Sequence, residues 1–174
     1  MREWIPVSTS PRGRLALAAV KEFGARPFDE VTVAELATAA KVTTGALYHH
    51  FGSKLGLYTF VRADVERRLL DRMEGALAAS GSDRSAAVTS ALLVGLDFAV
   101  REGFPHILGD PPAGTEHDRL AELLGGSVVP AAPLVGRVLA AAWRAALAAV
   151  AEGAEPEEAR AAIAGIRLHV PDGG

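Results

Sequence analysis

The stretch from Thr32 to Lys54, TVAELATAAKVTTGALYHHFGSK, constrains the fold more than any other part of this sequence. Thr32 and Glu35 have the T-x-x-E spacing of a capping box, in which each side chain satisfies a backbone N–H at a helix start. Thr43 is a second N-cap candidate, because its oxygen can accept from an N–H one turn further on. Gly52 ends the helix that follows. The stretch therefore predicts two short helices joined by a tight turn, with a third opening at Lys54.

The second of these short helices has one apolar face and one small, polar face. Leu47 and Phe51 are four residues apart, so they are predicted to be buried on the same side. The opposite face carries groups that form hydrogen bonds or, at glycine, let another backbone approach: Thr44, Gly45, Tyr48 and His49. A short helix with such a face, braced by another helix across a tight turn, fits the major groove of DNA.

The residues V-T-T-G-A-L-Y-H-H-F-G-S-K, preceded by T-V-A-E-L-A, closely resemble the helix-turn-helix signature of the TetR family of bacterial repressors. The resemblance runs from Thr32 to Tyr58 and extends towards a predicted helix start at Ser10. It implies that the family's DNA-contacting positions fall here on Thr32, Thr43, Thr44, Gly45, Tyr48, His49 and Lys54. By the same comparison, Tyr48 and Lys54 would hold phosphates, and Gly45 would let the backbone approach one.

Base recognition is restricted by composition, because the chain contains no asparagine and no glutamine. The usual bidentate contact to adenine is therefore unavailable. Specificity is expected instead from the polar side chains of the same surface, from methyl contacts to thymine, or from DNA shape. His50 is expected to pack beside Phe51, or at most to reach a phosphate.

Charge is distributed unevenly along the chain. Residues 1–62 hold eight Lys/Arg and five Asp/Glu, a net charge of +3, whereas residues 63–174 have a net charge of −6. A basic end on an acidic body indicates a polyanionic partner. Two copies of the basic end would double the phosphate contacts and make DNA affinity fall steeply with salt.

Apolar residues at three- and four-residue spacing predict helices throughout, and no strand pattern interrupts them. Beyond the opening stretch, these helices are expected at about 10–23, 54–79, 83–102, 115–124, 134–151 and 157–169. The predicted fold class is all-α. Residues 1–55 would form an N-terminal three-helix helix-turn-helix DNA-binding domain, with residues 1–9 as a flexible arm. Residues 56–174 would form a C-terminal helical-bundle domain, for which the resemblance implies ligand binding and dimerisation.

The last two long helices are rich in alanine, and small side chains allow two helices to approach closely. The resemblance implies that these helices form a homodimer through a four-helix interface, although alanine is also simply the best helix former. It also implies a small-molecule effector in the C-terminal bundle. Phe98, Phe104, His106 and Trp143 are candidate lining residues, although each also fits ordinary core packing. A pocket without amides would favour an apolar or aromatic ligand.

Several other classes of protein are not indicated. The absence of cysteine excludes disulfides and thiolate metal sites, and the five histidines are scattered along the chain. The Glu116-His117-Asp118 cluster fits a helix start better than a metal site. No hydrolase, metalloprotease or P-loop motif is present, so the sequence predicts no enzyme, no catalytic residue and no cofactor.

No apolar stretch is expected to reach the ~18 residues that span a bilayer, so no membrane partner is predicted and a cytoplasmic location is expected. One alternative to a DNA-binding regulator remains open at the level of sequence. A helical interaction module with the same fold could bind a protein partner instead of DNA.

Overall fold

The computed structural model describes residues 9–81, 83–111, 117–128 and 133–167. These residues form nine α-helices and one 3-10 turn (Phe28–Glu30), and no strand occurs among them, which confirms the all-α prediction. The helices are α1 (Pro11–Ala25), α2 (Val33–Ala40), α3 (Thr44–Phe51), α4 (Lys54–Ala79), α5 (Arg84–Arg101), α6 (Pro105–Gly109), α7 (Arg119–Gly126), α8 (Pro133–Ala151) and α9 (Pro156–Gly165). The chain divides into two compact units, Met1–Glu66 and Arg67–Gly174, so α4 begins in the first and ends in the second. The domain boundary predicted after residue 55 lies near the start of α4.

Helix starts in the first unit follow the caps that the sequence predicts. Ser10 Oγ accepts from the Gly13 N–H at 3.0 Å, and Pro11 occupies the first helical position, where its missing N–H is no loss. Thr32 and Glu35 form both halves of the capping box. Local hydrogen bonds of this kind fix the start of α1 and of α2 independently of the rest of the molecule.

The turn between α2 and α3 depends on an unusual backbone conformation at Lys41. This residue has a φ of 54°, in the left-handed region that a side chain normally disfavours. The Val42 N–H then donates to the Ala37 carbonyl at 2.9 Å, which satisfies one of the last carbonyls of α2. Lys41 therefore ends α2 as a glycine often does and directs the chain into α3.

Apolar side chains from α1, α2, α3 and the start of α4 fill one core in the first unit. Fully buried members are Leu15, Ala19, Phe23, Val31, Leu36, Leu47, Leu57 and Val61. Tyr58 closes this core, with its ring centre 5.1 Å from that of Phe23 and 5.0 Å from that of Phe28. Edge-to-face contacts at this distance add to the burial energy of the rings. The core holds α3 by its Leu47 side and leaves its other side outward.

The second unit is organised around α8, which packs on α6, α7 and α9. Trp143 is fully buried, and its Nε1–H donates to the Leu92 carbonyl on α5 at 3.0 Å. Gly136 lets α8 approach α7 closely, because a Cβ at this position would lie 2.6 Å from Gly125 N and closer still to the Ala121 carbonyl oxygen. The helix pair is therefore in backbone contact.

One ion pair ties the same two helices together. Arg144 on α8 donates to both carboxylate oxygens of Asp118 at 2.6 and 2.7 Å, and Asp118 also caps α7 by accepting from the Ala121 N–H. Burial by itself would raise the pKa of Asp118, but the bonds from Arg144 and Ala121 lower it below its usual value. The side chain of Arg144 is only 9% exposed, so the pair is largely removed from water.

Helix α8 corrects one expectation about apolar stretches. It is 19 residues long with a mean hydropathy of 1.6, so by length and composition it could cross a membrane. In the sequence this helix does not stand out as one apolar stretch, because Arg137 and Arg144 divide it into shorter apolar pieces. Arg144 is paired within the helical bundle and Trp143 is buried there, so one side of α8 packs in the interior of the second unit.

Several predicted boundaries differ from those observed. The predicted α7 start at Thr115 lies outside the described residues, and the described helix begins instead at Arg119, capped by Asp118. Helix α9 ends at Gly165, and its predicted end at His169 is likewise outside the described residues, as are residues 1–8 of the predicted arm. Helix α1 continues through Gly24, which is buried, and α6 was not predicted.

Candidate nucleic-acid interface

Helix α3 presents an exposed polar face from a firmly anchored position. Thr43 starts the helix by accepting from the Ala46 N–H at 3.2 Å, and Leu47 is the buried anchor. All five predicted DNA-contacting residues at the start of this helix or on it are exposed: Thr43, Thr44, Gly45, Tyr48 and His49. Tyr48 is 53% exposed, although it is one of the larger apolar side chains of the chain. The structure therefore brings five of the seven predicted DNA-contacting residues onto one accessible surface.

Gly45 is not required by packing inside the molecule. A Cβ at this position would meet only Thr43 Oγ1, at an ordinary contact distance of 3.7 Å. Gly56, by contrast, faces the Phe51 carbonyl so closely that a side chain could not be accommodated there. The first-turn N–H groups of a helix have no intrahelical acceptor and favour anions. Gly45 therefore leaves open space beside the N-terminal N–H groups of α3.

Three consecutive aromatic rings end α3. The centre of the His49 ring lies 5.0 Å from that of His50, and His50 lies 6.4 Å from Phe51. The Arg12 guanidinium of α1 lies 5.6 Å from the Phe51 ring centre and 5.0 Å from that of Phe60. The expected packing of His50 beside Phe51 is observed. The Arg12 guanidinium places a permanent positive charge over the Phe51 and Phe60 rings, as in a cation–π contact.

Thr32 is engaged by its own capping box. Its backbone N–H and its hydroxyl both donate to Glu35 Oε2, at 2.8 and 2.7 Å, and its hydroxyl oxygen accepts from the Glu35 N–H. Thr32 and then the Arg26 guanidinium lower the pKa of Glu35 to about 2. Both donors of Thr32 are therefore directed to a carboxylate, so a phosphate would have to compete with Glu35. The role of Thr32 in DNA binding stays a prediction.

Arg26 contacts the same capping box through Glu35, and the sequence analysis predicts no role for it. It donates to Glu22 at 2.7 Å and to Glu35 at 3.0 Å, and these bonds raise its pKa above the ordinary value. The i,i+4 spacing of Glu22 and Arg26 was the available signal for the first contact. The contact with Glu35 depends on how α1 and α2 pack, which the sequence does not state.

Lys54 is more enclosed than a phosphate-binding residue was expected to be. Its Nζ donates to the carbonyls of Phe28 and Val31, both at 2.9 Å, and lies 4.1 Å from the Phe28 ring centre. An ammonium group has three N–H donors, so one remains for a phosphate. Lys54 thus ties the start of α4 to the loop before α2, and its DNA contact stays a prediction.

Arg14 also has a structural role. Its Nε donates to the Ala40 carbonyl at 3.0 Å and its Nη1 to the Thr9 carbonyl at 2.6 Å. Ala40 is the last residue of α2, so the guanidinium satisfies a terminal carbonyl and carries positive charge at the negative end of the helix dipole. Arg14 therefore braces α1 against α2, the helix that supports α3.

The four candidate effector residues lie in the second unit, and three of them belong to its core. Phe98, Phe104 and Trp143 are at most 4% exposed, and the Phe98 and Phe104 rings are in edge contact at 5.7 Å. His106, on α6, is half-buried. Two surface grooves of the second unit, of about 540 and 530 Å³, are lined by other residues. A ligand at the four predicted residues would therefore have to displace packed side chains.

Comparison with known proteins identifies the first unit. The family model described as bacterial regulatory proteins, tetR family, matches residues 16–59, a segment that includes α2 and α3 and most of α1. Residues 16–59 therefore form a TetR-family DNA-binding domain. This match supports a DNA-binding transcriptional regulator. No curated protein sequence matches the chain significantly.

Solved structures extend the likeness in fold to most of the chain. A TetR-family transcriptional regulator from Pectobacterium atrosepticum is 22% identical with a TM-score of 0.66, covering 88% of each chain. A TetR-like transcriptional regulator from a Rhodococcus species is 24% identical with a TM-score of 0.64, covering 88% of this chain and 91% of the other. The TetR family repressor AlkX from a Dietzia strain is 17% identical with a TM-score of 0.53, covering 91% and 94%. At these identities the likeness establishes the all-helical fold alone.

Proposed function

We propose that the chain acts in the cytoplasm as a homodimeric repressor, which a small apolar or aromatic ligand releases from a near-palindromic operator. The exposed polar face of α3 is the observation that carries the DNA-binding part of this proposal. Its small and hydrogen-bonding residues stand outward while Leu47 anchors the helix in the core. This is the arrangement by which a recognition helix enters the major groove.

The charge distribution also supports DNA as the partner. The segment of residues 1–62 has a net charge of +3, and Arg12 and Lys41 are exposed on elements that adjoin α3. A net excess this small gives one copy weak affinity for DNA, since each phosphate neutralised contributes separately to salt-dependent binding. A second copy doubles that number, so the charge distribution favours a dimer on DNA.

An unpartnered apolar line on α8 supports the predicted dimer. Leu134 is 69% exposed and Val138 is 60% exposed, and Ala141 and Ala145 continue the exposed line at helical spacing. On α9 the small residues Ala161, Ala162, Ala164 and Gly165 are exposed as well. Two copies related by a twofold axis would bury these surfaces against each other. Half-sites on the operator would then lie about one DNA turn, roughly 34 Å, apart.

The dimer surface can be tested by changing Val138→Asp and measuring mass in solution by sedimentation. A charge in the centre of the interface is expected to convert the dimer into a monomer. Leu55→Asp is the matched control, because Leu55 is 53% exposed but belongs to the first unit. A Val138→Asp protein that remains a dimer would show that this line is not the interface.

The ligand part of the proposal depends on the aromatic interior of the second unit. Trp143 is buried beside α5, so an apolar ligand that enters at Phe98 or Phe104 would change its surroundings and its fluorescence. The measurement needs a Trp4→Phe background, since the chain has two tryptophans. Unchanged Trp143 emission on saturation with a ligand that releases DNA would exclude this pocket.

Selection of bound duplexes from a random-sequence pool tests the function as a whole. The proposal predicts a recovered motif with twofold symmetry and a binding constant that falls steeply with salt. Recovery of asymmetric or sequence-independent DNA would contradict the dimeric operator. Failure to retain any duplex would favour the alternative in which the fold binds a protein partner.

A further inference from the structure

The two surface grooves of the second unit differ in how their charged side chains are engaged. In the groove between α5 and α9, Arg160 donates to both carboxylate oxygens of Asp97, at 2.6 and 2.5 Å, so these opposite charges already neutralise each other. The other groove is lined by a single acidic and a single basic side chain, Glu74 and Arg84. Among the residues that the structure describes, neither of these two has an ion-pair partner. This groove therefore presents two opposite charges that remain available.

We propose that this second groove, formed by the end of α4, the start of α5 and the end of α7, binds a free α-amino acid with an apolar side chain. Arg84 would bind the carboxylate of the zwitterion, and Glu74 would bind its ammonium group. The apolar part of the groove would contact the side chain of the ligand. This site is separate from the aromatic interior of the second unit, and it does not depend on DNA binding.

The lining of the groove combines these charges with an apolar surface. Glu74, Leu77 and Ala78 follow one another at three- and four-residue spacing on α4, so they share one face of that helix. Arg84 is the first residue of α5, and Ala87 lies three positions further along. Ala87 is buried and Leu77 is half-buried. An amino acid would therefore meet aliphatic side chains beside the two charged groups.

The size and openness of the groove fit a small ligand. Its volume is about 530 Å³, within the range of roughly 300–1,000 Å³ that is typical of small-molecule sites. Glu74 and Arg84 are both exposed, so their charges can be reached from solvent. By contrast, Phe98, Phe104 and Trp143 are packed in the core. A ligand can enter this groove without displacing buried side chains.

Arg84 is well suited to bind a carboxylate. Its Nη1 lies 3.5 Å from the Ser127 carbonyl oxygen, at the limit of a hydrogen bond, so most of its five N–H donors remain available. A guanidinium group also matches the two oxygens of a carboxylate. Arg84 occupies the first position of α5, where the helix dipole disfavours a cation and favours an anion. A bound carboxylate would interact favourably with both the side chain and the helix end.

The second charge determines the class of ligand. A simple carboxylic acid would pair with Arg84 and leave Glu74 without a partner, whereas an amine would do the opposite. A zwitterion can pair with both groups, because an ammonium has three donors and the Glu74 carboxylate accepts them. Complementary charge gives specificity in this way, and a neutral apolar molecule would gain nothing from either group.

The groove also adjoins the helix pair that carries the exposed apolar line. Ser127 is the C-cap of α7, so a carboxylate that attracts Arg84 away from the Ser127 carbonyl would change a contact at the end of that helix. Helix α7 is in turn attached to α8 through Gly136 and through the bond from Arg144 to Asp118. A bound amino acid would therefore contact the end of a helix that is fixed to α8.

The experiment measures the binding of L-leucine, L-valine and L-phenylalanine to the full chain by calorimetry, without DNA. The N-acetylated form of each amino acid lacks the positive charge, and its amide lacks the negative charge. Glu74→Gln and Arg84→Gln remove the charges of the groove one at a time, and thermal melting checks that both variants are folded. Glu152→Gln and Arg119→Gln are matched controls, because both residues are exposed in the second unit and line neither groove.

We expect the wild type to bind an apolar amino acid saturably, and its N-acetylated and amide forms at least about tenfold more weakly, since each lacks one charge-assisted contact. Glu74→Gln should bind the amino acid and its N-acetylated form with similar, weak affinity, because the partner of the ammonium group is gone. Arg84→Gln should likewise no longer distinguish the amino acid from its amide. The two control variants should bind as the wild type does.

Two results would overturn the inference. One is the absence of saturable binding for all three amino acids, or equal affinity for an amino acid and its two derivatives. The other is wild-type discrimination that survives in Glu74→Gln and Arg84→Gln, because the charges that recognise the ligand would then lie elsewhere. Neither result bears on the proposed repressor function, which is tested with DNA, and failure to select an operator would not affect this inference.

Discussion

Replacing Gly45 by alanine is expected to weaken DNA binding without destabilising the fold. A Cβ at this exposed position would meet only Thr43 Oγ1 at 3.7 Å, so the free protein accommodates it without adjustment. Alanine also favours a helix over glycine by about 0.5–1 kcal/mol, so Gly45→Ala is expected to leave unfolding free energy unchanged or slightly higher. Any loss of DNA affinity would then come from the interface alone.

The expected loss follows from the contact that the methyl group obstructs. The N-terminal N–H groups of α3 lie beside Gly45, and a phosphate that accepts from one of them forms a charge-assisted hydrogen bond. Such a bond contributes about 1.5–3 kcal/mol, which corresponds to a roughly 10- to 150-fold loss of affinity per half-site if the methyl group prevents it.

Fluorescence anisotropy with the selected duplex measures the DNA affinity, and urea unfolding measures the free energy of unfolding. Gly75→Ala is the matched control, because Gly75 is an exposed helical glycine in the second unit with no atom within 4 Å of its added Cβ. It should show the same gain in helix stability and no change in affinity. An affinity of Gly45→Ala within about threefold of wild type, less than 1 kcal/mol, would refute the close approach of DNA to this turn.

Four further outcomes are expected. Tyr48→Ala should weaken DNA binding at least tenfold, about 1.4 kcal/mol, without altering the melting temperature or the oligomeric state, because the side chain is half exposed and α3 is anchored elsewhere. Glu35 has a pKa of about 2 when folded and an ordinary value of 4.5, so its contribution to stability is complete above about pH 4.5 and disappears as the pH falls towards 2. The melting temperatures of wild type and Glu35→Gln should therefore converge over that range. Arg144→Met should lower the unfolding free energy in urea by about 2–3 kcal/mol, less than for a fully buried pair because Asp118 keeps part of its exposure. Gly136→Ala should cost about 1–3 kcal/mol in the same assay, because the new methyl group meets backbone that cannot rotate aside; a cost below 0.5 kcal/mol would contradict the close approach.

Local signals predicted the helices well where a cap or a regular apolar spacing is present. The starts of α1, α2 and α3 follow from Ser10, Thr32 and Thr43, whose hydrogen bonds reach only three residues ahead. Helix α6 was missed because five residues are too few to show a period. Gly24 lies just past the predicted helix end at residue 23, but tertiary packing buries it and α1 continues past it.

The candidate site was predicted in outline, and its missing parts are long-range contacts. The exposed residues of α3 follow from helical spacing, whereas the bond from Lys54 to the Phe28 carbonyl joins residues 26 positions apart. The contact of Arg14 with Ala40 is equally distant in sequence. Such bonds depend on how the helices pack. Their acceptors are backbone carbonyls, which every residue has, so the sequence of side chains does not indicate which carbonyl is used.

The two attachments between α7 and α8 limit how these helices can move. Gly136 touches the α7 backbone, and Arg144, eight positions later, binds its capping Asp118. These anchor points are separated by about 12 Å along the axis of α8. Helices α7 and α8 are therefore expected to move together as one rigid body. A ligand or partner that displaces α7 would rotate the exposed side of α8 by the same angle, and a molecule bound to that side would be displaced as well.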